Sequence, residues 1–346
     1  MSRAVSTPLV VGTKGSALDL VMNTLYFDDE VPELMTKAEA DQIEDSGLAW
    51  PISLYARFQA RGHPIVGTTL DYFDFRDLKI ADGRQLALIG EAVLGAKVAE
   101  ELGLGPGDSL VSSPENPFDL AGVYPLKMNV VGVLAKAHTS DDLAVFVDLK
   151  TTWIIEGLGH GHQDLVNNED PSLILRRTEK NVTANAKVRL YTEISDLNLD
   201  SFHFHGDRSQ FHITALIAVP HDAKSGTLLR GRYVSSETGR QIVEPAKVID
   251  GLLQNIFRIK NVIDAIIVLV GTATFLAMVL VFALSLRLRQ REIDTIFKLG
   301  CSRLTIVRLM AAEIFIILAF SSLLCIGMMV GVDHFKHDMV RIAFIR

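Results

Sequence analysis

Cysteine is scarce in this chain: two of the 346 residues are cysteines, Cys301 and Cys325, and both lie near the C-terminal end. The long part before them therefore holds no disulfide and must be stabilised by a hydrophobic core. A phosphate-cradling loop is also missing, because "GTKGS" at residues 12–16 lacks the Walker spacing. No Ser, His and Asp set stands in a recognised nucleophile motif. The sequence therefore predicts that the chain is not an enzyme and carries no catalytic cofactor.

Positive charge is sparse in residues 1–260, which contain 25 Lys and Arg against 35 Asp and Glu. This acidic balance, without a basic face interleaved with aromatic residues, argues against nucleic-acid binding. The N-terminal stretch resembles neither a signal peptide nor a membrane helix, because Lys14 and Asp19 interrupt its short apolar runs.

Two long apolar runs are present near the C-terminal end. Residues 265–286 form a run of 22 without a charge, and residues 314–332 form another of 19. At about 1.5 Å per residue, each run is long enough to cross roughly 30 Å of hydrocarbon. The alternative, two buried helices of a soluble core, is disfavoured because such helices seldom lack a charged face over this length. We therefore predict an all-α membrane part with two transmembrane helices, at residues 265–286 and 309–332.

The segment between the two runs, residues 287–308, is basic. Its only acidic residues are Glu292 and Asp294, and its basic residues are Arg287, Arg289, Arg291, Lys298, Arg303 and Arg308. The positive-inside rule places this segment in the cytoplasm. The large domain before it and the tail at residues 333–346 are then extracytoplasmic. Because a domain of this size needs an export signal, we expect the natural protein to have a spanning helix before residue 1.

The extracytoplasmic domain has the sequence pattern of an α+β fold. Two stretches have helical patterns, "TKAEADQIED" and "GEAVLGAKVAEELGL". Strand-like runs are "TPLVVGT", "WPISLYARF", "MNVVGVLA", "DLAVFVDL", "AKVRLYTEI" and "ITALIAVP". From Pro245, which suits the first turn of a helix, apolar residues recur at helical spacing. We therefore predict a stalk helix at residues 245–264 that runs unbroken into the first span; a simple linker would not keep such an apolar stripe.

The stretch "RQREIDTIFKLGCSRLTIVRLMAAE", residues 289–313, has helical spacing despite its charge. Ile293, Ile296 and Phe297 share one face of a short helix, which Gly300 can end in a left-handed conformation. Ser302 can cap the next helix. This pattern predicts a surface helix that lies against a partner protein or, alternatively, against the bilayer without a partner.

These residues resemble a signature of the FtsX-like permeases, the macrolide-exporter and lipoprotein-release (MacB/LolC) class of ABC transporters. The matching positions are Arg291, Glu292, Lys298, Leu299, Gly300, Cys301, Ser302, Arg303 and Glu313. "GEAVLGAKVAEELGLGPGDSL", "MNVVGVLA" and "DDLAVFVDL" are similar to the periplasmic domain of that class. Each motif is weak alone, but their order and spacing are specific together.

The resemblance implies a domain organisation and a location. Residues 1–244 would form a MacB-like periplasmic core domain of two subdomains, with a small β-rich one inserted at about residues 79–150. Residues 262–332 would form the FtsX-like permease region of a multi-pass protein of the bacterial inner membrane. The class has four spans, and the two in this chain correspond to its second and third.

The resemblance also implies partners. In this class a short cytoplasmic coupling helix docks into a separate ABC ATPase subunit, which binds ATP and Mg²⁺, and two permease subunits work as a homodimer or heterodimer. For this chain, the resemblance implies that the docking residues are Arg291, Glu292, Ile296, Phe297, Lys298, Gly300, Ser302 and Arg303. Glu313, an acid at the membrane edge, would pair with Arg308 or with an ATPase residue, as a static ion pair or as a moving part.

The implied function is mechanotransmission, in which ATP hydrolysis moves the periplasmic domain and a substrate such as a lipoprotein, peptide or drug is exported or extracted. A periplasmic protein or a lipoprotein is a further expected partner. The alternative within the class is a regulator that signals to an external cell-wall enzyme and moves no substrate.

Four histidines form two closely spaced pairs, His160 with His162 and His203 with His205. Residues at i and i+2 share one face of a strand, and imidazole is a good ligand for Zn²⁺ or Cu²⁺. The sequence thus allows a periplasmic Zn²⁺-binding module. The alternative is a solvent-facing strand and a Gly-His loop without metal, which would be favoured if the two pairs lay far apart in the fold.

Overall fold

The computed structural model describes residues 3–114, 125–162, 192–195, 197–234 and 239–344, with side chains as far as residue 331, and the backbone of residues 174–177 and 182–184. The chain divides into two units, Met1–Ile256 and Phe257–Arg346. The predicted strand "AKVRLYTEI" lies mainly outside the described residues, as do the side chains of the predicted tail at residues 333–346.

Helices and strands alternate through the first unit. Its helices, including the long one that continues into the second unit, are α1 (Arg3–Ser6), α2 (Ala17–Tyr26), α3 (Ala38–Asp45), α4 (Leu70–Arg76), α5 (Ala96–Leu102), α6 (Leu149–Glu156), α7 (Ala223–Tyr233) and α8 (Pro245–Leu288). Its strands are β1 (Leu9–Thr13), β2 (Met35–Thr36), β3 (Ala49–Ala60), β4 (His63–Thr68), β5 (Ile80–Gly83), β6 (Glu91–Leu94), β7 (Ser109–Val111), β8 (Lys127–Leu134), β9 (Val145–Asp148), β10 (Gly159–Gly161), β11 (Ile174–Arg177), β12 (Val182–Ala184), β13 (Phe202–Phe204), β14 (His212–Ile213), β15 (Ala215–Pro220) and β16 (Arg240–Val243).

A ten-stranded mixed sheet forms the centre of this unit. Its strand order is β16-β1-β15-β3-β4-β9-β6-β8-β5, and β7 pairs with β8 off this path. Most neighbours are antiparallel, whereas β4 with β9 and β6 with β8 are parallel. The hairpin between β3 and β4 turns at Arg61 and Gly62, which both have positive φ, as a tight two-residue hairpin turn requires.

Both faces of the sheet are buried, as the strand period of two predicts. On β1, Leu9 and Val11 belong to one core cluster, whereas Val10 between them belongs to the other. The first cluster is covered by residues of α3 and α6, and the second by residues of α2 and α4. These two cores provide the stability that cysteine cannot supply here.

The segment at residues 79–150, predicted as an inserted subdomain, adds β5 to β9 to this same sheet. Within it, the prediction of one helix over "GEAVLGAKVAEELGL" is wrong in its first half, because Glu91–Leu94 is the strand β6 and only Ala96–Leu102 is helical. All four residues of β6 are buried, which favours a central strand over their helix propensity. Gly95 separates the two elements, and a side chain there would collide with the backbone of Asp141 and Asp142.

The second unit is helical. It contains most of α8, followed by α9 (Gln290–Lys298) and α10 (Arg303–Phe344). Two helices of the described chain, Pro245–Leu288 and Arg303–Gly331, are long and apolar enough to cross a membrane, and their apolar windows are 0% buried. This exposure of apolar side chains argues against the alternative of two core helices among the described residues, because the core helix of a soluble protein is mostly buried. The fold class predicted from the sequence is confirmed: an α+β domain is followed by an all-α part with two helices that are long and apolar enough to span a membrane.

Candidate functional site

The short helix α9 lies between the two apolar helices and is amphipathic. Ile293 and Ile296 are half-buried on one side, together with Phe297, whose side chain is 48% exposed. Other predicted docking residues, Arg291, Glu292 and Lys298, are exposed. The helix therefore presents an apolar strip bordered by charges, and the described part of the chain leaves Phe297 half uncovered.

A glycine ends α9 as predicted. Gly300 has φ of 91°, in the left-handed region that favours glycine. Its N–H donates to the Phe297 carbonyl at 3.1 Å, and the Cys301 N–H donates to the Ile296 carbonyl at 3.3 Å. These two bonds form a Schellman motif, which satisfies carbonyls that the helix end would otherwise leave unpaired.

The next helix begins immediately after this turn. Ser302 precedes α10, and its Oγ accepts a hydrogen bond from the Thr305 N–H at 3.3 Å, so the predicted cap is confirmed. The Arg303 guanidinium lies 5.8 Å from the centre of the Phe297 ring, within the range of a cation–π contact. The turn thus fixes the position of Phe297 relative to the start of α10.

An ion pair joins the residue that follows α8 to the helix α10. Arg289, between α8 and α9, donates to the Glu313 carboxylate of α10 at 2.6 Å. Of the two predicted partners of Glu313, Arg308 and an ATPase residue, the first is wrong, because Arg289 occupies that place within the chain. Arg308 precedes Glu313 by five positions, which places it about 140° away around the helix, whereas Arg289 comes from the facing segment. In the sequence, the feature that points to Arg289 as a partner for an acid is its position in the basic segment at residues 287–308.

The first turns of α8 pack against the core of the first unit. Val248 and Ile249 pack against the second core cluster. Glu244, the residue before the helix, accepts a hydrogen bond from Lys247 at 2.9 Å and pairs with Arg230. The bonds from Lys247 and then Arg230 outweigh the effect of burial and lower the pKa of Glu244. These contacts anchor the predicted stalk, and the sequence analysis missed the pair of Arg230 with Glu244 because it joins α7 to the residue before α8.

The two histidine pairs come together on a small antiparallel ribbon formed by β10 and β13. His160 lies directly opposite His203, flanked by the pairs Gly159 with Phe204 and Gly161 with Phe202. The four rings belong to one cluster, with the His160 ring centre 4.8 Å from His205 and 5.8 Å from His162. The alternative without metal would be favoured if the two pairs lay far apart in the fold. The structure instead places the two pairs side by side.

The opposite face of this ribbon is aromatic and attached to the core. The Phe202 and Phe204 rings occupy the space that a side chain at Gly161 or Gly159 would need. Phe204 and Trp153 have ring centres 6.3 Å apart, and Trp153 is 2% exposed. The ribbon therefore rests on a packed support while its imidazoles lie on the other side.

Three of the imidazoles offer ligand atoms at metal-binding separation. One nitrogen each of His160, His203 and His205 lies within 4.8 Å of the others. The Nδ1–H of His203 donates to the Ser201 carbonyl at 3.0 Å, because a carbonyl can only accept. Burial first, and then the neighbouring histidines, lower the pKa of His160, which favours the neutral ring.

A model of the MacB-like periplasmic core domain family matches residues 9–189, more than half of the chain. The chain belongs to this family. The resemblance to MacB-type ABC transporter permeases that the sequence motifs carried is thereby confirmed. With its two apolar helices, the chain is a membrane protein with a MacB-like periplasmic core domain.

Solved structures of low sequence identity are also similar to the chain. The periplasmic region of MacB from Actinobacillus actinomycetemcomitans is 11% identical over 73% of this chain and 96% of that one, with a TM-score of 0.39. The extracellular domain of the noncanonic ABC-type transporter YknZ from Gram-positive bacteria is 12% identical over 68% of this chain and 98% of that one, with a TM-score of 0.36. No curated protein matches. Because both TM-scores lie below 0.5, the family assignment rests on the family model.

Proposed function

We propose that this chain is the permease subunit of an ABC transporter in the bacterial inner membrane and that α9 is its coupling helix. ATP hydrolysis by a separate ATPase subunit would move α9, and that motion would reach the periplasmic domain for export or extraction of a substrate. The observation that carries the proposal is the amphipathic helix that stands between two apolar helices and leaves Phe297 half exposed in a MacB-like chain.

The local geometry supports docking against a protein rather than burial in lipid. Charged residues border the apolar strip closely, and a groove with complementary charges can satisfy them while it covers Phe297. The Schellman turn and the Ser302 cap define the start of α10, so a push on α9 reaches this helix without first ordering a loop. The pair between Arg289 and Glu313 links the same region to the end of α8.

In this proposal, α8 transmits the motion of α9 to the periplasmic domain. It is a single helix of 44 residues, which corresponds to about 66 Å of rise, more than twice the thickness of the hydrocarbon layer. Its first turns pack against the periplasmic core through Val248 and Ile249. A change in the angle or height of α8 would therefore be passed to that core.

Crosslinking from the apolar strip tests the docking partner. A photoreactive amino acid in place of Phe297 is expected to capture a protein with a Walker nucleotide-binding motif in cells. The matched control places the same amino acid at Thr295, on the opposite side of α9, and is expected to give much less of that product. Crosslinks to lipid alone, or an equal yield from both positions, would contradict the proposal.

Coupling itself is tested with the captured ATPase and the permease in proteoliposomes. Phe297→Asp is expected to remove most stimulation of ATP hydrolysis, because a carboxylate would be buried in an apolar groove. Thr295→Asp adds the same charge to the same helix and is expected to retain stimulation. Unchanged stimulation in Phe297→Asp would refute docking through this strip.

The periplasmic side separates transport from regulation. We propose a transport role, with a lipoprotein, a peptide or a drug as the substrate class and two permease subunits in the complex. Crosslinking from an exposed position of the periplasmic unit, such as Leu197, is expected to capture a lipoprotein or a transport partner. Capture of a cell-wall hydrolase instead would show that the chain is a regulator of the same family.

A further inference from the structure

The proposed coupling does not use the histidine ribbon formed by β10 and β13, and the geometry of this ribbon indicates a separate role. Four of the ten histidines in the chain are gathered on one side of two short strands. They come from segments that are distant in sequence, so their proximity is a product of the fold.

We propose that His160, His203 and His205 bind a divalent transition-metal ion, with Zn²⁺ as the principal candidate, and that His162 borders the fourth coordination position. The ligand nitrogens of the three residues lie within 4.8 Å of one another, so modest side-chain rotation brings them to a common ion. Three protein ligands and one further position form a common zinc geometry.

The hydrogen bond to Ser201 determines which nitrogen of His203 is available. Its Nδ1–H donates to the Ser201 carbonyl, so Nε2 carries the lone pair that is left to bind a metal ion. Metal-bound histidines commonly donate their second ring nitrogen to a carbonyl in this way, and the bond holds the ring in orientation. The ribbon therefore already has one element of the outer shell of a metal site.

The aromatic face of the ribbon packs against the core and supports the site from behind. Phe202 and Phe204 lie over Gly161 and Gly159 on the side away from the imidazoles, and Phe204 packs against Phe211 with ring centres 6.0 Å apart. Because the two strands are held in register from behind, little rearrangement is needed when an ion binds. Bound metal would cross-link β10 to β13.

The donor set selects the class of metal. Imidazole suits Zn²⁺, Cu²⁺ and Ni²⁺, whereas Mg²⁺ and Ca²⁺ require oxygen ligands. The described cluster consists of imidazoles alone and contains none of the soft thiolate ligands that favour Cu⁺. Mg²⁺ and Ca²⁺ are therefore expected not to compete with Zn²⁺ here.

The proposal is tested with the full chain in detergent, purified without a polyhistidine tag and stripped of metal. Titration with ZnCl₂ against a chromophoric chelator is expected to show one Zn²⁺ per chain, with a dissociation constant of about 1 μM or lower. His203→Ala is expected to weaken binding at least about tenfold, as is His205→Ala at a more exposed position. His221→Ala, which alters an exposed histidine outside the ribbon, is the matched control and should bind like the parent chain.

A second readout tests the location of the site independently of affinity. Excess Zn²⁺ should raise the midpoint of thermal unfolding followed by tryptophan fluorescence, since Trp153 packs against the ribbon at Phe204. The same midpoint without metal should be similar in the parent chain and in His205→Ala, which shows that the variant folds. Absence of saturable binding, or equal binding by the parent chain, His203→Ala and His205→Ala, would overturn the proposal.

Discussion

At the scale of single residues, Glu91 is a buried carboxylate that accepts several hydrogen bonds, which stabilise its negative charge. It is 6% exposed, and its Oε2 accepts from Arg84 at 2.8 Å and from the Ala87 N–H at 2.8 Å. Burial by itself would raise the pKa of Glu91, but the bonds from Arg84 and from the N–H groups of Ala87 and Leu88 outweigh it and lower the pKa below its ordinary value of 4.5.

The lowered pKa of Glu91 predicts how the stability of the periplasmic unit depends on pH. The ionised Glu91 carboxylate contributes fully to the free energy of unfolding above pH 4.5, the ordinary pKa of glutamate. This contribution is lost as the pH falls through the lower pKa of Glu91 in the folded state. Glu91→Gln should lower the free energy of unfolding at pH 7 by about 1–3 kcal/mol and flatten this acid-side decline. Unfolding followed by tryptophan fluorescence checks both effects, because Trp50 and Trp153 belong to this unit.

The surface pair of Glu100 and Lys136 offers the control for Glu91. Their side chains are 66% and 61% exposed, so Glu100→Gln should change the free energy of unfolding at pH 7 by less than about 0.5 kcal/mol. Equal losses in the two variants at pH 7 would show that the surroundings of Glu91 confer no special stability.

Residue types predicted some local geometry but not the partners of charged groups. Gly300 and Ser302 were identified from the sequence because helix ends have strong residue preferences. Arg289 was not recognised as the partner of Glu313, since that choice depends on how two helices face each other. The pairing of His160 with His203 was likewise beyond the sequence, because it requires two distant segments to adopt one register.

At the scale of elements, the turn from α9 to α10 depends on one backbone conformation. Gly300→Ala must place a side chain at φ of 91°, which costs about 1–2 kcal/mol. Gly300→Pro cannot adopt this φ and loses the hydrogen bond to Phe297. ATPase stimulation should therefore decrease in the order parent, Gly300→Asn, Gly300→Ala and Gly300→Pro, because Asn tolerates the left-handed region better than Ala.

Gly251→Ala is the control for that series. Gly251 lies in α8 with nothing within 4 Å of the position of an added Cβ, and it lacks a positive φ. Alanine favours a helix more than glycine does, so this variant should retain stimulation. A decrease in Gly251→Ala as large as that in Gly300→Ala would show that the special conformation of Gly300 is not the cause.

The elements differ in how well local sequence determines them. The helix α3 and the strands β1 and β3 follow their predicted patterns because residue preference and burial agree. The strand β6 was misread as helix because its residues form helices readily, and only its position between β8 and β9 decides the outcome. Long-range pairing prevailed over local propensity there.

At the scale of the whole molecule, the proposed coupling assigns different roles to different parts of the chain. The sheet, with a core on each face, stabilises the first unit without disulfides, α8 would transmit motion, and α9 would contact the ATPase. The apolar runs and the basic segment between them could be read from the sequence, because membrane insertion depends on composition over many residues.

The central claim, that α9 faces the cytoplasm, is tested most directly by thiol labelling at Cys301, an exposed cysteine beside the Schellman turn. With Cys325 replaced by Ala, Cys301 is the single thiol of the chain. In intact spheroplasts a membrane-impermeant maleimide should fail to label Cys301 and should label it after permeabilisation, whereas the additional substitution Leu197→Cys should be labelled in both conditions. Labelling of Cys301 in intact spheroplasts would place α9 outside the cell and contradict the account.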